Sequence, residues 1–291
     1  MTTFTTSDGC ALDYRVDGPA DAPDTLVLLH GWSQSRAMFD RALPTLSGRI
    51  RVVTYDQRGH GESAKPAYGA RVARLAADLH ELLDHLGISA AHLGGHSLGA
   101  SVLWSYIDLY GTSRIRSLII IDQPSACVVL PWMDAEEAGA AGAILDFAGA
   151  EQFVRAVATD DRDVRHSFLV SMLTREIPAD DLAWMSTENL KLPAAWGARL
   201  LLDHIMQDWR DVLPRIDVPT LVLAGEVSHV APASQAWTAA HIPGARLRTF
   251  TAAEKGAHFP FFEEPASFCA VVTEFLGLGD QTPTPFQPSA A

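Results

Sequence analysis

The chain has 291 residues, 48% of them hydrophobic and 20% charged, the balance of a folded globular protein rather than a disordered one. Its formal net charge of −13 and pI near 5.2 speak against nucleic acid or an anionic membrane as partner, since both attract basic patches. Three cysteines, Cys10, Cys127 and Cys269, are too few for a disulfide framework and match no CxxC spacing, so a reducing, cytoplasmic setting is the simplest expectation.

Residues 1–12 lack both a basic and an apolar signal region, so no signal peptide is expected. No run reaches the roughly 18–20 apolar residues that a membrane span requires. Short apolar, β-branched runs then recur along the chain. Leu26–Leu29 precedes His30-Gly31-Trp32, and Arg51–Tyr55 precedes Asp56 and the turn Arg58-Gly59-His60-Gly61. Arg71–Leu86 places Val72, Leu75, Leu79, Leu82, Leu83 and Leu86 on one helical stripe. Ala91–Gly94 reads as a short strand, and Leu118–Ile121 and Thr220–Leu223 as two more, ending at Asp122 and at Ala224-Gly225. Continuous rather than alternating apolar runs suit strands buried on both faces of a parallel sheet. The β, turn, α, β order predicts an α/β fold whose active site lies at the carboxyl ends of the strands.

Between Asp122 and Thr220 the pattern is helical, with helices expected over 134–145, 151–158, 161–175, 179–190 and 194–213. That stretch is too long for a crossover helix and reads as a helical cap over residues 125–215, inserted into a core domain formed by 1–124 and 216–278. Its Trp132, Phe147, Phe153, Phe168, Met172, Trp184, Met185, Trp196 and Met206 either form the cap's own core or line a pocket under it. The Pro-rich residues 279–291 are expected to be a disordered tail.

The sharpest signal is Gly95-His96-Ser97-Leu98-Gly99, placed between a strand and the helix through 101–110. A serine in a strained strand-to-helix turn needs neighbours without side chains, so that the turn closes and Oγ stands clear. Of eleven histidines, His258 has the context of a base, in a Gly-rich loop after the strand 246–250 and before the helix 265–276. No HExxH or Cys/His cluster occurs, so neither a metal nor another cofactor is implied.

On these blocks the chain resembles the α/β-hydrolase fold superfamily over about residues 10–276. The resemblance is carried by His30-Gly31-Trp32, Asp56-Gln57-Arg58-Gly59-His60-Gly61-Glu62-Ser63, the elbow at Ser97, and Gly256-Ala257-His258-Phe259-Pro260. Within it the chain looks most like the non-haem chloroperoxidase-like or short-chain esterase-like group. The resemblance implies a mostly parallel sheet flanked by helices, a Ser97 nucleophile, a His258 base, and an oxyanion hole from the backbone N–H groups of Trp32 and Leu98. The acid departs from the common pattern, because Ser228 stands in Gly225-Glu226-Val227-Ser228 where the superfamily carries Asp. Asp122, after the sixth strand, is the substitute acid and Glu226 the reserve. Serine cannot hold an imidazolium by charge, so Ser228 is expected to be dispensable.

Three functions follow as alternatives. The first is a serine hydrolase acting on a small apolar or aromatic ester-like molecule. The second rests on similarity to the cofactor-free 3-hydroxy-4-oxoquinoline 2,4-dioxygenases, in which a His/Asp dyad deprotonates the substrate for attack on O2. Gln34 and Leu98 stand where that family carries histidines. The third is a non-catalytic ligand receptor. His30, Gln34, His96, Trp132 and Trp184 are the expected substrate-binding residues.

Overall fold

The structure, a computed structural model, describes residues 2–279. Its centre is an eight-stranded sheet: β1 (Thr2–Thr5), β2 (Ala11–Asp17), β3 (Thr25–Leu29), β4 (Arg51–Tyr55), β5 (Ala91–His96), β6 (Ile115–Ile121), β7 (Thr220–Gly225) and β8 (Arg246–Phe250), in the order β1-β2-β4-β3-β5-β6-β7-β8. Only β1 and β2 pair antiparallel with their neighbours. From β4 onward every pairing is parallel.

Apolar runs alternate between two cores. Val27 and Leu29 of β3, with Leu118 and Ile120 of β6, pack into the cluster on one face of the sheet. Leu26, Leu28, Ile119 and Ile121 pack into the other. Both faces are therefore dry, which is why these strands carry no polar alternation. Helices α2 (Val72–His85) and α3 (Leu98–Tyr110) cover the first face. Helix α1 (Leu43–Ser47) covers the second with α11 (Pro265–Phe275), which buries Phe268, Cys269 and Val272. Each such buried side chain contributes roughly 1.5–3 kcal/mol.

Between β6 and β7 stand five helices: α4 (Ala135–Ala141), α5 (Phe147–Ala158), α6 (Arg162–Ser171), α7 (Ala179–Leu190) and α8 (Ala194–Ile205). This agrees with the helical character expected of the segment, with altered bounds. Two further helices, α9 (Pro232–His241) and α10 (Pro260–Glu263), flank β8. Among the described residues no helix is long and apolar enough to cross a membrane. The tail expected to be disordered lies, from residue 280 on, outside the described residues.

Candidate active site

The site assembles at the carboxyl ends of β3, β5 and β6. β5 and β6 run in register with His96 opposite Ile121, and the Ser97 N–H continues the ladder by donating to Ile121 O at 3.0 Å. Asp122 N–H likewise extends the β6–β7 ladder to Leu223 O at 2.9 Å. Sheet hydrogen bonding alone thus places Ser97 and Asp122 on one rim. Ser97 has φ 52° and ψ −122°, and Asp122 and Ser33 also have positive φ, at 50° and 53°. Three non-glycine residues in this costly region cluster at the strand ends, where strain is typically tied to function.

The elbow closes because Gly95 and Gly99 have no side chains. A Cβ on Gly99 would lie 2.4 Å from Leu29 O, and one on Gly95 would lie 2.5 Å from the Gly99 backbone. Neither neighbour is a flexible side chain that could swing aside. Gly99→Ala is expected to destabilise the protein by more than the roughly 1–3 kcal/mol of ordinary overpacking, read as a lowered thermal midpoint.

His258 Nδ1 lies 2.7 Å from Asp122 Oδ2, with both residues almost wholly buried. The reserve acid Glu226 is exposed, and its Oε2 accepts from Ala252 N–H at 2.7 Å, away from the histidine. Ser228 is the surprise. Its hydroxyl donates to Asp122 Oδ2 at 2.5 Å while accepting from Val230 N–H at 3.1 Å. Gly225 N–H approaches the other carboxylate oxygen at 3.3 Å. Ser228 is therefore no bystander, correcting the expectation from its lack of charge: it steadies the carboxylate that occupies the neighbouring strand end.

Burial dominates the electrostatics, pushing the Asp122 carboxyl up to about 7 and the His258 imidazole down. The Ser228 hydroxyl opposes the first shift, because it stabilises the ionised carboxylate. A protonated Asp122 would donate to His258 Nδ1 and force the imidazole proton onto Nε2, leaving no lone pair to act as base. Activity resting on this pair should fall as pH drops through the Asp122 protonation and plateau above it. Ser228→Ala should move that acid limb to higher pH, read from a kcat/KM profile against pH.

His258 is also held from behind. Its N–H donates to Met172 O at 3.1 Å, and its carbonyl accepts from His96 Nε2 at 2.9 Å. The His96 ring packs 4.3 Å from the His258 ring and is fully buried, with burial driving its proton affinity far down. A neutral His96 with its proton on Nε2 is thus a support for the His258 loop.

A cavity of about 50 Å³ opens on Ser97 and His258. Gln34 reaches it, as do Trp32, Phe153, Phe168 and Met172. The three aromatic rings form one wall, Phe153 and Phe168 lying 4.6 Å apart and Trp32 6.0 Å from Phe153. Among the described residues neither Trp32 N–H nor Leu98 N–H has an acceptor in the protein, so both remain free to bind an oxyanion. The Trp32 side chain is tied to α8, its Nε1–H donating to Gly197 O at 3.0 Å.

Other expected binding residues lie elsewhere. His30 is buried, with Nδ1 2.8 Å from Gly31 O and Nε2 accepting from Gln57 N–H at 3.0 Å, so it staples the Trp32 loop to the loop after β4. His96 is not among the residues lining the cavity. Trp132, between β6 and α4, is 67% exposed and does not line the cavity. Trp184 stacks on Phe262 at 5.5 Å, packing against α10 instead of the cavity. In their place the cavity takes Gln123, Cys127, His204 and His229, which the sequence reading did not select. His204 carried a signal, as a polar residue on the buried stripe of α8 with Leu200 and Leu201.

The α/β hydrolase fold family profile matches residues 24–265. The chain belongs to this family. It is 29% identical over 269 residues to a non-haem haloperoxidase of Rhodococcus erythropolis, covering 88% of this chain and 93% of that one. A bifunctional esterase/perhydrolase of Acinetobacter calcoaceticus is 28% identical over 248 residues, covering 80% of this chain and 84% of its own. Among solved structures, the bromoperoxidase from Bacillus anthracis superposes with a TM-score of 0.84 at 22% identity, covering 95% of this chain and 100% of its own. Esterases and enol-lactonases are also among the neighbours of this α/β-hydrolase fold.

Proposed function

We propose that the protein is a serine hydrolase cleaving a small, uncharged, ester-like substrate. The observation that carries this reading is the 2.7 Å contact between His258 Nδ1 and Asp122 Oδ2, set beside Ser97 at a strained elbow in one cavity. Asp122 fixes the imidazole with its proton on Nδ1, so Nε2 is free to take the proton from Ser97 Oγ as it attacks the carbonyl. The free N–H groups of Trp32 and Leu98 receive the oxyanion, being already oriented for it. His258 then returns the proton to the leaving group, and water releases the acyl group by the same route. Haloperoxidase and esterase neighbours of this fold support an acyl-transfer site. The cavity's small volume supports a short acyl chain.

The direct test is treatment of the folded protein with a fluorophosphonate, followed by peptide mass spectrometry. One adduct on Ser97, formed more slowly when excess p-nitrophenyl acetate is present as a competitor, is the expected result. An unlabelled Ser97 in folded protein would count against the nucleophile.

A further inference from the structure

Two polar groups of the cavity have no task in that reaction. His204, in the last turn of α8, is only 5% exposed, and its Nδ1 is buried without a hydrogen-bond partner among the described residues. His229, in the loop after β7, likewise has a buried and unpaired Nδ1. One comes from the cap and the other from the core, yet both line the cavity that holds Ser97 and His258. His229 stands edge-on to the His258 ring at 4.4 Å and to Phe168 at 5.9 Å, so its orientation is fixed by packing.

Buried ring nitrogens without partners are rare, because each forfeits the hydrogen bond it made in water. Burial holds both imidazoles neutral, His204 down to about 4 and His229 to about 3. At neutral pH each therefore presents one N–H and one lone pair and no charge. Among the described lining residues there is no Lys, Arg, Asp or Glu. A carboxylate entering this cavity would lose its hydration with no cation to replace it. A wholly apolar ligand would leave both nitrogens unpaired.

We propose that His204 and His229 form a polar subsite that holds a second hydrogen-bonding group of an uncharged substrate. That group is a hydroxyl, keto or amide function set a short distance from the carbonyl that Ser97 attacks. The proposal rests on the hydrolase reading only for which carbonyl reacts, since the subsite is a property of binding. It predicts discrimination rather than mere affinity: a site built to hydrogen-bond a ligand group rejects the analogue that lacks it.

Binding is measured by calorimetry on the Ser97→Ala protein, so that turnover does not enter. The probes are 3-hydroxy-γ-butyrolactone, its methyl counterpart 3-methyl-γ-butyrolactone, and the anionic 3-carboxy-γ-butyrolactone. The hydroxy lactone should bind about fivefold to tenfold more tightly than the methyl one, the yield of one hydrogen bond, and the carboxylate most weakly. Adding His204→Leu or His229→Leu should erase that preference, whereas His204→Gln, which keeps a donor and an acceptor, should retain most of it. A residue that only packs would lower the affinity for all the lactones together and would not be rescued in selectivity by Gln. Equal binding of the hydroxy and methyl lactones, a preference that survives both leucine variants, tight binding of the carboxylate, or no binding of any lactone would overturn the proposal. Fluorophosphonate labelling of the unsubstituted protein reports separately on the hydrolase reading. An unlabelled Ser97 with lactone selectivity intact would sink that reading and leave the subsite standing.

Discussion

Asp122→Asn should lower kcat/KM for an ester by about ten-thousandfold with the fold intact, the scale seen when a triad aspartate loses its charge but keeps its shape. An amide cannot stabilise the imidazolium that forms as Ser97 loses its proton. Its NH2 group can also donate to Nδ1, which selects the wrong tautomer of His258. Glu226→Gln is the control, because that side chain is exposed and engaged with Ala252 N–H. Should the two substitutions prove equally harmful, Asp122 is not the acid. A stronger version places a carboxylate at the neighbouring strand end. Ser228 Oγ already lies 2.5 Å from Asp122 Oδ2, so Ser228→Asp in the Asp122→Asn protein should recover part of the lost rate.

Ser97→Ala should abolish ester turnover by several orders of magnitude, and His258→Ala should do the same, since triad members act as a unit. The comparison carries more weight when run with and without oxygen. A hydrolase works identically in both conditions. A cofactor-free dioxygenase needs only its base, so oxygen-dependent cleavage of a 3-hydroxy-4-quinolone that survives Ser97→Ala and dies with His258→Ala would replace the proposed reaction. Gln34 bears on this choice: its Oε1 accepts from Gly31 N–H at 3.1 Å and lies 3.3 Å from His96 Nδ1, so it props the Trp32 loop.

Several elements were legible because one physical requirement dominated them. The strands 51–55 and 246–250 and the helix 179–190 have the bounds read from the sequence, and β3, β6 and β7 extend theirs by a few residues. β1 and β2 escaped notice because an edge hairpin with one solvated side, Thr-Thr-Phe-Thr against Ala11–Asp17, carries no continuous apolar run. Helix α5 starts four residues before its apolar periodicity suggested, where the Asp146 side chain accepts from Gly149 N–H and caps the first turn. The helix expected to run to 213 stops at Ile205, because the next residues turn back onto the chain just after β6: Ala126 bridges Asp208, and Trp209 N–H donates to Ser125 O at 2.9 Å. That is a tertiary preference and leaves no mark on local periodicity.

The same division runs through the site. That Ser97, His258 and Asp122 lie together could be expected from the sequence, because glycine spacing and strand ends constrain their positions tightly. The cap aromatics were not, since periodicity does not settle which side of a cap helix meets the core. Phe153 and Phe168 reach the cavity while Trp132 and Trp184 face elsewhere. His229 was missed because a histidine in a loop carries no periodicity to mark it as buried, whereas His204 could have been found from its place on the apolar stripe of α8.

Asp122 is the last residue of the core before the chain departs into the cap, and the chain returns at β7 through Thr220. Ser97, Asp122 and His258 therefore all belong to segments outside that excursion, and exchanging residues 123–219 leaves the proposed triad in place. The excursion is nonetheless stitched to the proposed site at two points, Gly197 O on the Trp32 indole and Met172 O on the His258 backbone. A grafted cap that omits either acceptor would change specificity and, with it, the alignment of the oxyanion loop or of the base. Diversifying the range of the proposed hydrolase should thus proceed by swapping the excursion while conserving those two backbone stitches.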